Sequence, residues 1–258
     1  MRTIGFSTGA LAHGDFQRGI ELQKRDGITA IELSALRESE LGALTAALRN
    51  LDLSSFIYRS FHAPSSLREL KSSQLADLLR PVADAGYPIV VHPDVIEGDC
   101  EPWRKLGAAV LLENMDIRKP VCRTASEMQS FFDALPEAKF CFDIGHARQV
   151  DPTMSVAVEL LMRFGDKLAE VHISEVNWEC KHQGISSVAA MAFHKVARLI
   201  PDEIPIIIES VIDANEIDSE IRLVQKCLDW ETPLFAGPSS LSLVAAHEAH
   251  SRADVILE

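Results

Sequence analysis

Several features that would assign this chain to a familiar class of protein are scarce in its sequence. The five cysteines are odd in number, widely scattered and without a C-x-x-C pair. This argues against a disulfide scaffold and against a zinc ribbon, and it favours a reducing compartment, so we expect a cytoplasmic protein. The cysteines are Cys100, Cys122, Cys141, Cys180 and Cys227.

Long hydrophobic runs are also missing. No apolar stretch approaches the ~20 residues that a membrane-spanning helix needs. The opening sequence, Met-Arg-Thr-Ile-Gly-Phe-Ser-Thr-Gly, lacks the hydrophobic region of a signal peptide. We therefore expect a soluble protein with no membrane partner.

Positive charge is in short supply. The chain has 25 Lys and Arg against 38 Asp and Glu, a formal net charge of -13. Nucleic-acid binding depends largely on neutralisation of phosphates by basic side chains, so this balance disfavours a nucleic-acid partner. A cluster of carboxylates around metal ions would itself contribute to an acidic balance.

Short apolar runs alternate with segments of helical periodicity along the chain. Strands too apolar to face water, separated by helices, predict a parallel sheet covered by helices. The predicted strands are Thr3 to Ser7, Ala30 to Leu33, Ser55 to Phe61, Ile89 to Val91, Ala109 to Leu112, Lys139 to Phe142, Leu168 to Ile173 and Ile204 to Ile208. The predicted helices are Glu38 to Leu51, Leu67 to Ala85, Ser126 to Ala134, Pro152 to Phe164, Ser187 to Leu199 and Asn215 to Leu228.

Eight such repeats in 258 residues predict a single (β/α)8 TIM barrel, a fold of about 250 residues. An open doubly wound sheet is the competing architecture, but Gly5, Gly9 and Gly14 do not form its G-x-G-x-x-G loop. We expect the barrel to span 1–233 and a short extension to follow at 234–258. A helix over Ser242 to Ala253 could pack on the barrel or on a second subunit of a homo-oligomer.

Metal-binding side chains end four of the predicted strands. Glu113, Asp143, His172 and Glu209 each come at the end of an apolar run. A single carboxylate in such a place is most often a helix cap or a solvated loop residue. The carboxyl ends of barrel strands meet at one rim, however, and oxygen and imidazole donors gathered there are suited to a divalent metal.

Further histidines follow the same pattern. His62 stands in Ser-Phe-His-Ala-Pro and His92 in Val-Val-His-Pro, each where a predicted strand stops. His146 follows Asp143 by three residues, and His182 follows His172 by ten. These imidazoles could bind a metal ion, or they could contact substrate hydroxyl groups or orient loops.

The motifs Leu-Leu-Glu113-Asn114, Phe-Asp143-Ile-Gly-His146, Val-His172-Ile-Ser and Ile-Ile-Glu209-Ser resemble the xylose isomerase-like superfamily of TIM barrels over roughly the first 230 residues. This group includes sugar isomerases and epimerases and the family-two AP endonucleases, or endonuclease IV. The resemblance implies a shared metal site at Glu113, Asp143, His172 and Glu209. Zinc, manganese, magnesium and cobalt all suit such a set of ligands.

The endonuclease-like members of the superfamily hold up to three zinc ions. Their additional histidines correspond to His62, His92 and His146 here. The sequence departs from them at Cys180-Lys-His182, where Asp-x-His is expected, and at Phe-Asp143-Ile-Gly-His146, which lacks their Thr-Cys. A thiolate at Cys180 could still bind zinc beside His182.

The resemblance favours a metal-dependent isomerase or epimerase of a small sugar or polyol, acting through an enediolate that the metal stabilises. Glu113 and Glu209 are its candidate acid and base, and His146 is the third candidate catalytic residue. The alternative is a phosphoester hydrolase with two or three metal ions. A barrel that binds a ligand without turnover is a third hypothesis. The candidate substrate-binding residues are Glu32, Asn114, Arg118 and His13.

Overall fold

The computed structural model describes residues 2–234, and the predicted extension helix lies outside them. The strands within those residues are β1 (Ile4–Ser7), β2 (Ala30–Ser34), β3 (Tyr58–His62), β4 (Ile89–Val91), β5 (Val110–Glu113), β6 (Lys139–Asp143), β7 (Leu168–Ile173), β8 (Glu175–Val176), β9 (His182–Gln183) and β10 (Ile206–Ile208). The α-helices are α1 (Thr8–Ala12), α2 (Phe16–Gln23), α3 (Glu38–Ala47), α4 (Ser72–Asp84), α5 (Glu101–Arg104), α6 (Ala125–Ala134), α7 (Ile144–Val150), α8 (Ser155–Phe164), α9 (Ser187–His194) and α10 (Ile217–Leu228).

Eight of the strands close into a barrel in the order β1-β10-β7-β6-β5-β4-β3-β2, and every neighbouring pair is parallel. The (β/α)8 prediction is therefore confirmed. Strands β8 and β9 form a separate antiparallel hairpin after β7. Because all eight barrel strands run the same way, their carboxyl ends share one rim.

The strands form where the sequence predicts apolar runs, because both of their faces are covered. Strands β1, β2, β4, β5 and β10 consist of buried residues throughout. The predicted strand starts differ most from the observed ones at β3, which begins at Tyr58 instead of Ser55. A turn in which the Phe56 amide donates to the Leu53 carbonyl at 3.0 Å occupies the preceding residues.

The predicted helix starts differ most from the observed ones at α4. Helix α4 starts at Ser72 instead of Leu67, because the carboxylate of Glu38 accepts hydrogen bonds from the backbone amides of the intervening loop. The Leu70 amide donates to Glu38 Oε1 at 2.9 Å, and the Arg68 amide donates to the same oxygen at 3.1 Å. These bonds hold the loop backbone in a non-helical path.

The helices pack around the barrel and cover a continuous core of buried apolar side chains. Trp103, Phe6, Phe140, Phe142 and Phe193 are among its largest fully buried members. None of the helices in residues 2–234 is long and apolar enough to cross a membrane.

Candidate metal centre

Four of the predicted ligands come together at the carboxyl rim of the barrel. Glu113 and Asp143 are the last residues of β5 and β6, His172 lies one residue before the end of β7, and Glu209 directly follows β10. One ligand atom from each residue lies within 4.8 Å of the other three, and all four residues are buried. The fold thus assembles a four-donor cluster from residues far apart in sequence.

The Glu113 carboxylate lies among four imidazole rings. Its Oε2 is 3.4 Å from His62 Nε2 and 3.1 Å from His92 Nε2. Its Oε1 is 3.4 Å from His146 Nδ1 and 3.5 Å from His172 Nδ1. Although Glu113 is buried, neither oxygen accepts a hydrogen bond from any residue the structure describes. A buried carboxylate in that condition calls for a cation.

The spacing of the donor atoms fits shared coordination of an ion. In a tetrahedral site with bonds of about 2.0 to 2.1 Å, neighbouring ligand atoms are about 3.4 Å apart. His172 Nδ1 is 3.4 Å from Glu209 Oε2 and 3.5 Å from Glu113 Oε1, and it has no hydrogen-bond partner among the described residues. This chain therefore has a donor set that fits a divalent ion in both chemistry and spacing.

The electrostatics of the cluster show an excess of negative charge. Burial, together with the nearby carboxylates of Glu113 and Glu209, raises the pKa of Asp143 well above its ordinary value. Burial also acts to raise the pKa of Glu113, but the surrounding imidazoles, led by His92, hold it well below the usual range. A divalent ion would lower the pKa of Asp143 and allow the whole set to ionise.

His62 and His92 both direct Nε2 at the Glu113 carboxylate, but their other nitrogens differ. His62 Nδ1 lies 2.7 Å from the Ala63 carbonyl oxygen, so in the neutral ring Nδ1 carries the proton and the Nε2 lone pair is free. His92 Nδ1 is buried and has no hydrogen-bond partner among the described residues. His62 forms a second compact donor group with Glu113 and His172, whereas His92 belongs to none of the three compact groups in residues 2–234.

His146 lies on α7, a short helix that the periodicity of the sequence does not predict. Asp143 caps this helix, since its Oδ1 accepts a hydrogen bond from the His146 amide at 2.6 Å. Gly145 is needed because a Cβ there would collide with the Ser174 carbonyl oxygen. His146 Nδ1 is 3.0 Å from the Asn114 carbonyl oxygen, so Nε2 is the nitrogen left free.

The β8–β9 hairpin carries the last predicted histidine. His182 Nδ1 is 2.7 Å from Ser174 Oγ and 3.6 Å from Glu209 Oε2, and its ring lies 5.3 Å from that of His146. Cys180 does not share a metal position with His182. Its Sγ instead accepts a hydrogen bond from Gln149 Nε2 at 2.9 Å. It joins no compact donor group with the two histidines in the described part of the chain.

A cavity of about 320 Å³ opens above the cluster and is small for a ligand site. Two predicted substrate-binding residues, His13 and Arg118, line it. The Arg118 guanidinium is already paired with Asp116, with Nη2 2.7 Å from Oδ2. The remaining wall includes Arg37, Ser65, His62, His92, Glu113, Lys119, His146, His182 and Glu209.

Glu32 and Asn114, the other two predicted substrate-binding residues, are fully buried and do not line this cavity. The Asn114 side chain joins two strands: Nδ2 donates to the Asp143 carbonyl at 2.8 Å, and Oδ1 accepts from the Asp143 amide at 2.9 Å. Glu32 lies one layer lower in the barrel, with Oε2 3.1 Å from His172 Nε2. Their substrate contacts remain predictions.

Glu170 contacts a predicted ligand directly, although it is not among the residues predicted from the strand ends. Its Oε1 lies 2.8 Å from His172 Nε2, and the residue is fully buried. A signal was present in Leu-Ala-Glu-Val-His, where a charged residue interrupts an apolar strand two positions before a histidine. Because alternate strand residues share a face, that spacing places both side chains inside the barrel.

The pKa of His62 gives a prediction for the pH dependence of stability. Burial lowers this pKa, but Glu32 and Glu113 outweigh burial and raise it from 6.5 to about 9. A raised folded-state pKa stabilises the protein fully below about 6.5, and this stabilisation is lost as pH rises through about 9. The unfolding temperature of the metal-free protein should therefore fall over that range, and less so when a metal replaces the proton.

Thermal denaturation in EDTA and in saturating zinc, across that pH range, measures the effect. His62→Gln should flatten the pH slope of the metal-free protein. His194→Gln is the control, because His194 lies at the end of α9 and contacts the Cys227 carbonyl, away from the cluster. Equal pH slopes with and without zinc would contradict this prediction.

Several solved structures have a fold similar to that of this chain. The sequence matches no protein-family model and no curated protein. The structure is similar to endonuclease IV from Thermus thermophilus, at 19% identity and a TM-score of 0.55, covering 89% of this chain and 99% of that one. It is also similar to the IolI protein with a bound zinc atom, at 14% identity and a TM-score of 0.57, covering 92% and 100%.

A third similar structure is a xylose isomerase-like TIM barrel protein from Mycobacterium smegmatis in complex with magnesium. Its identity is 12% and its TM-score 0.54, over 88% of this chain and 98% of that one. At these identities the likeness concerns the fold. The chain therefore has the fold of the xylose isomerase-like TIM barrels, the superfamily that its sequence motifs resemble.

Proposed function

We propose that this chain is a divalent-metal-dependent isomerase or epimerase of a small sugar or polyol. One observation carries the proposal: the buried donors of Glu113, Asp143, His172 and Glu209 converge within 4.8 Å at the rim of the barrel. Zinc, manganese, magnesium or cobalt would be held by these four residues. Active sites of TIM barrels lie at this rim, which supports an enzyme over a passive binding protein.

The charge of the cluster favours a neutral substrate when one ion is bound. Three carboxylates and one divalent ion leave about one net negative charge, which would repel a phosphate group. A polyol with hydroxyl groups can instead approach and bind. The small cavity supports the same class of substrate, since about 320 Å³ is close to the lower limit for ligand sites.

The residues of the cluster have distinct tasks in this proposal. The four donors would hold the ion, and the ion would supply positive charge that offsets the negative charge developing when a carbon-bound proton leaves. Glu209 is the candidate base, because it lines the cavity and is 8% exposed, the most of the four donors. Burial raises its pKa, but His172 and His182 outweigh burial and keep the carboxyl ionised. Glu113 is the candidate partner acid; because the surrounding imidazoles hold its pKa well below the usual range, it would have to take up a proton before it could donate one.

Residues above the cluster would orient the substrate. His146 Nε2 is available for a hydroxyl group, since Nδ1 is engaged by the Asn114 carbonyl. His13 and Arg118 line the same cavity and are candidate contacts for the distal part of the substrate. Because Arg118 is paired with Asp116, it would act as a hydrogen-bond donor more than as an unneutralised charge.

A second candidate function, phosphoester hydrolysis by two or three ions, is supported by a specific observation. His62 and His92 both direct Nε2 at Oε2 of Glu113, at 3.4 and 3.1 Å. An ion there would share Glu113 with the first ion and neutralise the phosphate charge that one ion cannot. His146 and His182, with rings 5.3 Å apart, are the candidate ligands of a third ion, without Cys180.

Metal content and substrate turnover, measured together, test the two functions. The isomerase proposal expects one tightly bound ion per chain and interconversion of an aldose with a ketose, or of two epimers, in a panel of small sugars. Two or three tightly bound zinc ions with cleavage of a phosphodiester would favour the hydrolase. A folded protein that binds no divalent ion would contradict both.

A further inference from the structure

A pair of glutamates lies beneath the metal cluster, inside the barrel, and the proposed chemistry does not use it. Glu170 and His172 alternate on β7, so both side chains point inward, with Glu170 one layer further from the rim. Glu32 reaches the same layer from β2. Both glutamates are fully buried.

The pair meets the nitrogen of His172 that faces away from the cluster. His172 Nε2 is 2.8 Å from Glu170 Oε1, within hydrogen-bond distance, and 3.1 Å from Glu32 Oε2. The opposite nitrogen, Nδ1, has no hydrogen-bond partner in residues 2–234 and faces the carboxylates of Glu113 and Glu209. One side of the ring is therefore engaged by carboxylates, and the other is directed at the metal cluster.

We propose that Glu170, assisted by Glu32, is a positioning residue that fixes the proton of His172 on Nε2 and thereby makes Nδ1 the metal ligand. This inference rests on the metal site proposed above. A ring that donates Nε2–H must present a lone pair at Nδ1 when it is neutral. The negative charge of the acceptor also makes the imidazole a stronger donor to a metal.

His172 differs in this respect from the other histidines of the cluster. Nδ1 of His62 and Nδ1 of His146 each have a backbone carbonyl oxygen as hydrogen-bond partner, and Nδ1 of His182 has a serine hydroxyl. Among the described residues these three have no carboxylate hydrogen-bonded at those positions. Fixing the ring with a buried carboxylate is costly, because a fully desolvated charge needs compensation.

The described residues place no Lys or Arg in an ion pair with Glu170 or Glu32. The direct support for Glu32 comes from hydroxyl groups: Ser34 Oγ donates to its Oε1 at 3.2 Å, and Ser7 Oγ lies 2.6 Å from Ser34 Oγ. The His172 ring contacts both glutamates and can carry a positive charge. Both glutamates thus contact this one histidine, and Glu32 also acts on His62 through its charge.

A competing arrangement is an additional ion held below the cluster. Cys141, Glu170 and His172 form the third compact donor group. Coordination through His172 Nε2 would remove the Nε2 proton, and with it the hydrogen bond to Glu170. If Nδ1 also bound an ion, the ring would have to be an imidazolate. The short contact between Glu170 Oε1 and His172 Nε2 favours a hydrogen bond, and the number of bound ions separates the two arrangements.

The test compares zinc binding by the full chain and by Glu170→Leu, which has no acceptor for His172 Nε2–H, in competition with a chromophoric chelator. We expect affinity to fall about 10- to 100-fold, the usual effect of removing a hydrogen-bond partner of a ligand, with an unchanged number of ions. Glu32→Gln should weaken binding less. Ser60→Ala is the matched control, because Ser60 lies in the same layer, beside Glu32 in the strand register, and is not a hydrogen-bond partner of His172.

A ¹⁵N spectrum of the imidazoles in zinc-loaded protein adds a readout that a general loss of stability would not move. The unaltered chain should show His172 protonated at Nε2 and metal-shifted at Nδ1, and Glu170→Leu should change those two signals alone. Equal affinity in a folded Glu170→Leu variant would overturn the inference, as would the loss of one whole ion. Absence of zinc binding by the unaltered chain would instead reject the metal site itself.

Discussion

Glu113→Gln is expected to bind zinc at least about 100-fold more weakly than the unaltered chain. The Glu113 carboxylate faces His62 and His92 with one oxygen and His146 and His172 with the other, so its charge serves both sides of the cluster. A four-ligand zinc site is worth about 10 to 16 kcal/mol, or roughly 3 kcal/mol per ligand, which corresponds to a factor of about 100.

Competition with a chelator measures this loss, and circular dichroism confirms that the variant is folded, as we expect from the equal size of the two side chains. Glu209→Gln should act in the same direction. Glu127→Gln is the control, because Glu127 lies on α6 and pairs with Arg123 outside the barrel. Undiminished zinc affinity in a folded Glu113→Gln variant would remove Glu113 from the set of ligands.

If His62 and His92 hold a second ion, as the hydrolase requires, the combined variant His62→Ala, His92→Ala is expected to bind one ion fewer than the unaltered chain at saturating zinc. Both rings direct Nε2 at Oε2 of Glu113, so their removal takes away the nitrogen ligands of a second ion. The ion held through Asp143 and His172 should remain. Because imidazole must be neutral to bind a metal, the second ion should also be released first as pH falls.

Metal analysis of folded, zinc-equilibrated protein gives the count, with His194→Ala as the matched control. A phosphodiester assay on the same samples adds the functional result: any such activity should disappear with the second ion, since a shared pair of ions would generate the nucleophile. An unchanged count would instead make His62 and His92 substrate contacts and would strengthen the single-ion isomerase.

The sequence by itself determined the architecture and the composition of the rim. Parallel strands covered on both faces are rich in apolar residues, so runs such as Ile89–Val91 are visible without a structure. A charged residue or histidine at the end of such a run is expected at the rim, where the strand leaves the barrel. From this constraint, Glu113, Asp143 and His172 could be predicted to lie at the same rim before their distances were known.

Short elements were less predictable, because local periodicity needs several turns or residues to be visible. Helix α7 has seven residues, includes a glycine and owes its position to the Asp143 cap. Strands β8 and β9 have two residues each, and their hairpin places His182 beside Glu209 and holds Cys180 against Gln149. No sequence spacing specifies that separation of the cysteine from the histidine.

Only the tertiary structure showed how far each inward-pointing side chain lies below the rim of the barrel. The stagger of tilted strands determines which inward residues share a layer, and the sequence of a single strand does not contain it. Ser34, not Glu32, lies level with His62 in the register of β2 and β3, so Glu32 falls one layer below the rim. There it meets Glu170 beneath His172, because the closed barrel leaves their carboxylates no solvent to face.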